Sequence, residues 1–177
     1  MRLNRFGINP VCVAACLIGC AVALPEYQTR AAAKKVFENM TYLTSYPGFE
    51  RVHLANGRYS WSEKSSDGFF SLYQLYYEGH YVYGDFNHDG LKDAAVIISE
   101  GEGGSGDFRA LAFLINDGQC LVHRVSYDLG DRVKINSLKE RKGKVVIDLF
   151  VHQDGDCLAG PTKRVTHVYE YLSPSRA

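Results

Sequence analysis

The spacing of apolar residues along the chain changes period near residue 50. Before that point Ala33, Val36, Phe37, Met40 and Leu43 recur at intervals of three and four, aligning one helix face until Tyr46-Pro47-Gly48 breaks the pattern. One amphipathic helix is expected there. After residue 50 the period is two. Arg51-Val52-His53-Leu54 and Arg58-Tyr59-Ser60-Trp61 flank Asn56-Gly57, which accepts the positive φ angles of a tight turn, so the pattern predicts a hairpin. Residues 69–83 carry Phe69, Phe70, Tyr73, Tyr76, Tyr77, Tyr81 and Tyr83, predicting one or two strands with a break at Gly79.

Residues 94–99 are almost continuously apolar and read as a central strand. The glycine-rich run Gly101-Glu102-Gly103-Gly104-Ser105-Gly106 connects it to a strand over 108–115. Further strands are expected over 119–128, 132–138, 144–152 and 164–172. Asn116-Asp117-Gly118, Gly130-Asp131 and Arg141-Lys142-Gly143 mark turns between them. No helical stretch separates these strands. The expected fold is therefore α+β and mostly β: an antiparallel meander, as a half-open barrel or curved sheet, with one N-terminal amphipathic helix. The aromatic density of 69–83 admits a glycan-binding or peptide-binding platform, but tyrosines also suit a half-buried pleated surface, which is the simpler reading.

One stretch carries specific chemistry. In Asp85-Phe86-Asn87-His88-Asp89-Gly90-Leu91-Lys92-Asp93, oxygen side chains fall at positions 1, 3, 5 and 9 of a calcium loop, with glycine at position 6, where the chain turns sharply. Calcium is a hard cation that takes six to eight oxygens. Asp85, Asn87 and Asp89 would supply side-chain oxygens, Leu91 its carbonyl, and Asp93 a carboxylate directly or through water. Water, or an acid such as Glu100 or Glu102, would complete the shell. Position 12 is Val96 rather than the glutamate of a helix-loop-helix site, so the expected setting is strand-loop-strand. The loop resembles the calcium loops of integrin-type FG-GAP blades, where the same run leads directly into a strand. The motif occurs once, which excludes a propeller built from repeats of it. Asp, Asn and Gly also suit a metal-free turn. His88, between ligand positions, is expected to face solvent.

The N-terminus has the layout of an export signal, with Arg2 and Arg5 followed by an apolar run over 11–18 and no acidic residue. Leu17-Ile18-Gly19-Cys20 resembles the bacterial lipobox, which implies a signal over 1–19, lipidation of Cys20, a tether over 20–25 and a single globular domain over 26–177. Ala21-Val22-Ala23 is a competing cleavage site that would release a soluble periplasmic protein. The expected location is the periplasmic face of the bacterial envelope, with the lipid anchor holding the protein to the outer membrane. Cleavage before Cys20 leaves 158 of the 177 residues, enough for one core, with 18 basic against 20 acidic residues and a net charge of −2. That balance excludes the basic footprint of a nucleic-acid binder. Cys120 and Cys157 remain as a candidate disulfide pair, since export favours such bonds; two separate thiols are the alternative.

Blocks at 39–42, 52–59, 84–90 with 93–96, 103–106 and 129–135 together resemble a family of uncharacterised bacterial exported proteins and lipoproteins. They include Gly84-Asp85-Phe86-Asn87-His88-Asp89-Gly90 with Asp93-Ala94-Ala95-Val96, Gly103-Gly104-Ser105-Gly106 and Leu129-Gly130-Asp131-Arg132-Val133-Lys134-Ile135. The resemblance implies an exported domain and names no activity. Where that family carries paired cysteines before Pro-Thr, this chain has Cys157 alone before Pro161-Thr162.

An enzyme reading would rest on His152, Asp154 and Asp156, whose alternation suits metal ligands or an acid and base, with Asp131 and Arg132 near by. There is no H-E-x-x-H and no phosphate loop. Gly103-Gly104-Ser105-Gly106-Asp107 also lacks the last glycine of a nucleophile elbow. The expectation is a non-catalytic envelope protein with one structural calcium ion and an unknown protein or glycan partner. A small periplasmic hydrolase using the His152 region is the alternative.

Overall fold

The computed structural model describes residues 26–156 and 160–173; the expected signal over 1–19, Cys20 with its expected tether, and Cys157 with its expected bridge lie outside them. Among the described residues one helix, α1 (Glu26–Phe37), precedes ten strands. These are β1 (Thr41–Leu43), β2 (Arg51–His53), β3 (Arg58–Lys64), β4 (Phe70–Gly84), β5 (Asp93–Gly101), β6 (Phe108–Asn116), β7 (Leu121–Asp131), β8 (Lys134–Arg141), β9 (Lys144–Val151) and β10 (Lys163–Glu170). Every pairing is antiparallel, and the sheets do not close into a barrel. Among the described residues no helix is long and apolar enough to cross a membrane.

The meander divides in two. Strands β3-β4-β5-β6-β7 form one sheet and β8-β9-β10 a second, with β1-β2 as a small third pair. The larger sheet is covered on both faces. Ala94, Val96, Ile98, Ala112 and Leu114 pack on one side with Phe37, Tyr42, Val52 and Leu54 from α1, β1 and the β2 segment. Ala95, Ile97, Leu111 and Phe113 point the other way, onto Val145, Ile147 and Leu149 of β9. Burial on both faces explains why 94–98 is unbroken apolar sequence rather than alternating, a pattern more usual in parallel sheets. Each fully buried large side chain here contributes roughly 1.5–3 kcal/mol.

Strand β4 holds one irregularity. Between the Tyr77–Ile98 and Tyr81–Val96 pairs it has three residues where β5 has one. The excess of two preserves the alternation, so Tyr77, Tyr81 and Tyr83 all reach the same side and ring Phe37 at centroid distances of 5.8, 5.1 and 6.0 Å. The tyrosines of β4 thus serve chiefly the core, as the simpler reading of them expected.

Two expectations are corrected. The helix stops at Phe37 rather than running through Met40 and Leu43; Asn39 donates its side-chain amide to Lys35 O at 2.9 Å, and the Tyr42 hydroxyl donates to Phe37 O at 2.9 Å. Thr41 and Tyr42 suit a strand better than a helix, and Thr41–Leu43 pairs with Arg51–His53. The Asn56-Gly57 turn does form, with φ angles of 54° and 80°, but only one bridge, Ala55–Arg58, flanks it. It caps the helix instead of tipping a hairpin: Gly57 N–H donates to Glu38 O at 2.8 Å and Asn56 N–H to Asn39 Oδ1 at 3.1 Å. The carbonyls of Lys34 to Phe37 are met by Glu38, Asn39 and Tyr42, and the turn supplies a donor to the next one, Glu38 O. Strand β3 consequently pairs with β4.

Candidate metal loop and the opposite cleft

The β4–β5 connection at one end of the large sheet is the calcium-type loop. Phe86 anchors it, 1% exposed and edge-on to Phe113 at 5.2 Å. Asp85 accepts hydrogen bonds from the backbone of Asp89 at Oδ1 and of Gly90 at Oδ2, both at 3.1 Å. Asn87 Oδ1 reaches the same Asp89 N–H at 3.2 Å, so oxygens from positions 1 and 3 converge on one point. Asp89 accepts from Leu91 N–H at 2.8 Å and from the Asn87 side-chain amide at 2.7 Å. Gly90 takes φ 84°, the left-handed turn that position 6 requires. Lys92 is held off the carboxylates, its ammonium 4.5 Å from the centre of the Tyr83 ring.

Asp93 behaves differently. It is fully buried, and its carboxylate accepts the N–H groups of Phe86 (2.8 Å), Asn87 (3.4 Å) and Asn116 (2.8 Å). Position 9 therefore fixes the backbone of the loop. Among the described residues no three carboxylate, imidazole or thiol side chains come together. The convergent donors are Asp85, Asn87 and Asp89, an amide among two acids, beside the exposed Leu91. That hard-oxygen set fits calcium. Glu100 and Glu102 cannot complete the shell as expected: seven residues of strand at about 3.3 Å each carry Glu100 some 20 Å from Asp93.

The loop also meets the second sheet. His88, exposed at φ 61°, lays its ring against Gly143 in the β8–β9 turn, where a Cβ would stand 2.5 Å from Cε1. Beside it Glu140 Oε1 accepts the Gly143 N–H at 2.8 Å.

The His152 group is only partly assembled. His152 Nδ1 lies 4.0 Å from Asp156 Oδ2, while its Nε2 is buried with no hydrogen-bond partner among the described residues. Asp156 is committed to a local loop, accepting Gln153 N–H and Thr162 N–H at 3.0 Å and the Thr162 hydroxyl at 2.5 Å; these bonds hold its carboxyl below the usual range. Asp154 is exposed. Asp131 accepts Asp107 N–H at 2.8 Å and pairs with Arg132 at 2.7 Å, tying Gly130-Asp131-Arg132 to the end of the glycine-rich connection. Cys120 sits exposed in the β6–β7 turn.

A pair unremarked in the sequence is His123 with Ser126. His123 is 3% exposed, and its Nδ1 accepts Leu43 N–H at 2.8 Å. The proton therefore sits on Nε2, which donates to Ser126 Oγ at 2.9 Å. Burial pushes the imidazole down to about 4. A ring that donates to the serine cannot take the serine's proton, so the pair is not set up as nucleophile and base.

At the other end of the large sheet, beyond the 44–47 turn, lies an open cleft of ≈ 940 Å³. Tyr46 and Phe108 stand on its walls. Tyr73, itself buried, donates its hydroxyl to Glu100 Oε2 at 3.1 Å. The sequence signal available for it was a glutamate closing an otherwise apolar strand. No family model, curated protein or solved structure matches the chain.

Proposed function

We propose that this is an exported, lipid-anchored envelope protein that works by binding rather than catalysis and whose sheet is stabilised by one calcium ion in the 85–93 loop. The observation that carries the reading is the convergence of Asp85 and Asn87 oxygens on Asp89 N–H, within a loop fixed by buried Asp93. Asp85, Asn87, Asp89 and the Leu91 carbonyl would hold the ion, and Asp93 would hold their backbone, with both acceptor sites of Oδ2 used and one left on Oδ1. The role is structural: the ion would neutralise crowded carboxylates at the junction with the β8–β9 turn. Against a hydrolase stand the commitment of Asp156 to Thr162 and the tautomer of His123. Export and anchoring rest on the 1–20 segment and on Cys20.

The test is thermal unfolding of the detergent-solubilised full chain in excess calcium and in chelator. Saturation at 100 times Kd is expected to add about 2.7 kcal/mol, or roughly 5 to 10 °C in Tm. Asp85→Ala should remove the shift, and a Tm indifferent to calcium would end the metal reading. Cys20→Ser should release the protein from membranes; unchanged fractionation would end the anchor reading.

A further inference from the structure

We propose that the cleft between the 44–47 turn and the β5, β6 and β7 strands binds a small organic ammonium ion with an apolar body. The inference rests on the binding reading but not on the metal, which lies at the opposite end of β5.

The cleft is the uncovered corner of a sheet face otherwise hidden by α1 and the β1-β2 pair. Its ≈ 940 Å³ lies in the range of small-ligand sites. Tyr46 stacks on Tyr73 at 4.6 Å with their planes 25° apart, which fixes one aromatic wall; Phe108, 51% exposed, stands on another. Between them is Glu100. The carboxyl is pushed up by burial, drawn down by the Tyr73 hydroxyl and pushed up again by the like charge of Glu102. Among the described residues no basic side chain forms an ion pair with it.

Two arginines line the cleft, and Arg109 is engaged by neighbouring acids. Arg109 pairs with Asp107 at 3.0 Å and Glu78 at 3.5 Å and donates to Val133 O. Arg124 of β7 also lines the cleft and forms no ion pair among the described residues. The lining thus carries two bases, Arg109 and Arg124, against three acids, Glu100, Glu102 and Asp128. The acids do not converge on a point as a metal ion demands, since no such group of three exists among the described residues. Separated carboxylates between aromatic faces suit a cation of extended shape, whose charge meets Glu100 while its apolar part lies along Tyr46 and Phe108. An anionic ligand would meet Glu100, which has no basic partner among the described residues, in a lining with one more acid than bases.

Calorimetric titration of the full chain in detergent with phenethylamine, and with 2-phenylethanol as its neutral counterpart, tests this. At pH 7 the amine should bind at least about tenfold more tightly than the alcohol, as expected for one charge-assisted contact. Glu100→Gln, which keeps an acceptor for Tyr73, should abolish that preference. If this variant is misfolded by circular dichroism, the exposed Glu102→Gln and Phe108→Ala variants decide, each expected to weaken amine binding about threefold or more. Equal affinity for amine and alcohol, no heat at millimolar amine, or full binding in the folded variants would overturn the inference. A calcium-dependent Tm with no amine binding would remove the cleft proposal alone; amine binding with a calcium-independent Tm would remove the metal alone.

Discussion

Asp93 and Asn116 lie 23 residues apart in the chain, and the buried carboxylate of the first accepts the backbone N–H of the second at 2.8 Å. The same carboxylate holds the N–H groups of Phe86 and Asn87. One side chain thereby fixes the start of β5, the preceding loop and the end of β6 together. Asp93→Ala would leave three backbone donors without their acceptor, and the expected loss is about 3–5 kcal/mol in urea denaturation. Asp93→Asn, retaining one acceptor oxygen, should lose less. A loss below about 1 kcal/mol for alanine would mean that water replaces the carboxylate, and the anchoring role would fail.

Gly143 supports the loop from the other sheet. Alanine there must keep φ near 73° and place its Cβ 2.5 Å from the His88 ring. The left-handed conformation alone costs about 1–2 kcal/mol, and the clash adds to it. In a double-mutant cycle, His88→Ala should recover the clash but not the conformational part. Simple additivity of the two substitutions would show that the ring does not rest on Gly143.

His123 gives the fold a specific acid sensitivity. Its folded value of about 4 lies below the ordinary imidazole value of 6.5, so the unfolded chain binds the proton more readily. The stability from the neutral buried ring is complete above pH 6.5 and declines as pH falls from there toward 4, by about 3 kcal/mol in all. Asp148, held down to about 2 by Arg164 and Asn136, loses its contribution only at lower pH, between 3.8 and 2. Urea midpoints between pH 7 and 4 should therefore fall less steeply in His123→Asn than in the parent. Parallel curves would assign the acid sensitivity to other groups.

How much of this was legible in the sequence depended on how far apart the cooperating residues lie. The 85–93 loop was readable because its donors are contiguous and the phase of the motif is local. The strand runs were readable from period and turns, and the unbroken apolar run from Ala94 to Ile98 showed that the strand is central. It did not show that two different layers bury it, because an apolar run looks the same whatever covers it. Met40 and Leu43 kept the helical period past its true end, where the strand preference of Thr41 and Tyr42 and the Tyr42 hydroxyl on Phe37 O prevailed. Asn56-Gly57 was recognisable as a turn, but its partners just past the end of α1, Asn39 and Glu38, lie 17 and 19 residues upstream. The cleft was least legible of all, since Tyr46, Tyr73, Glu100 and Asp128 come from four separate segments.

The irregularity at Gly79 bears on how this chain can change length. Because β4 carries an excess of two residues between Tyr77 and Tyr81, the strand remains in phase on either side of it. Removing one residue from 78–80 would turn Val82 toward Phe37 and send Tyr81 and Tyr83 to the opposite face, exchanging the two cores over half a strand. Removing two would restore a plain ladder and leave each side chain with its own layer. Insertions and deletions at this site are therefore compatible with the fold in pairs.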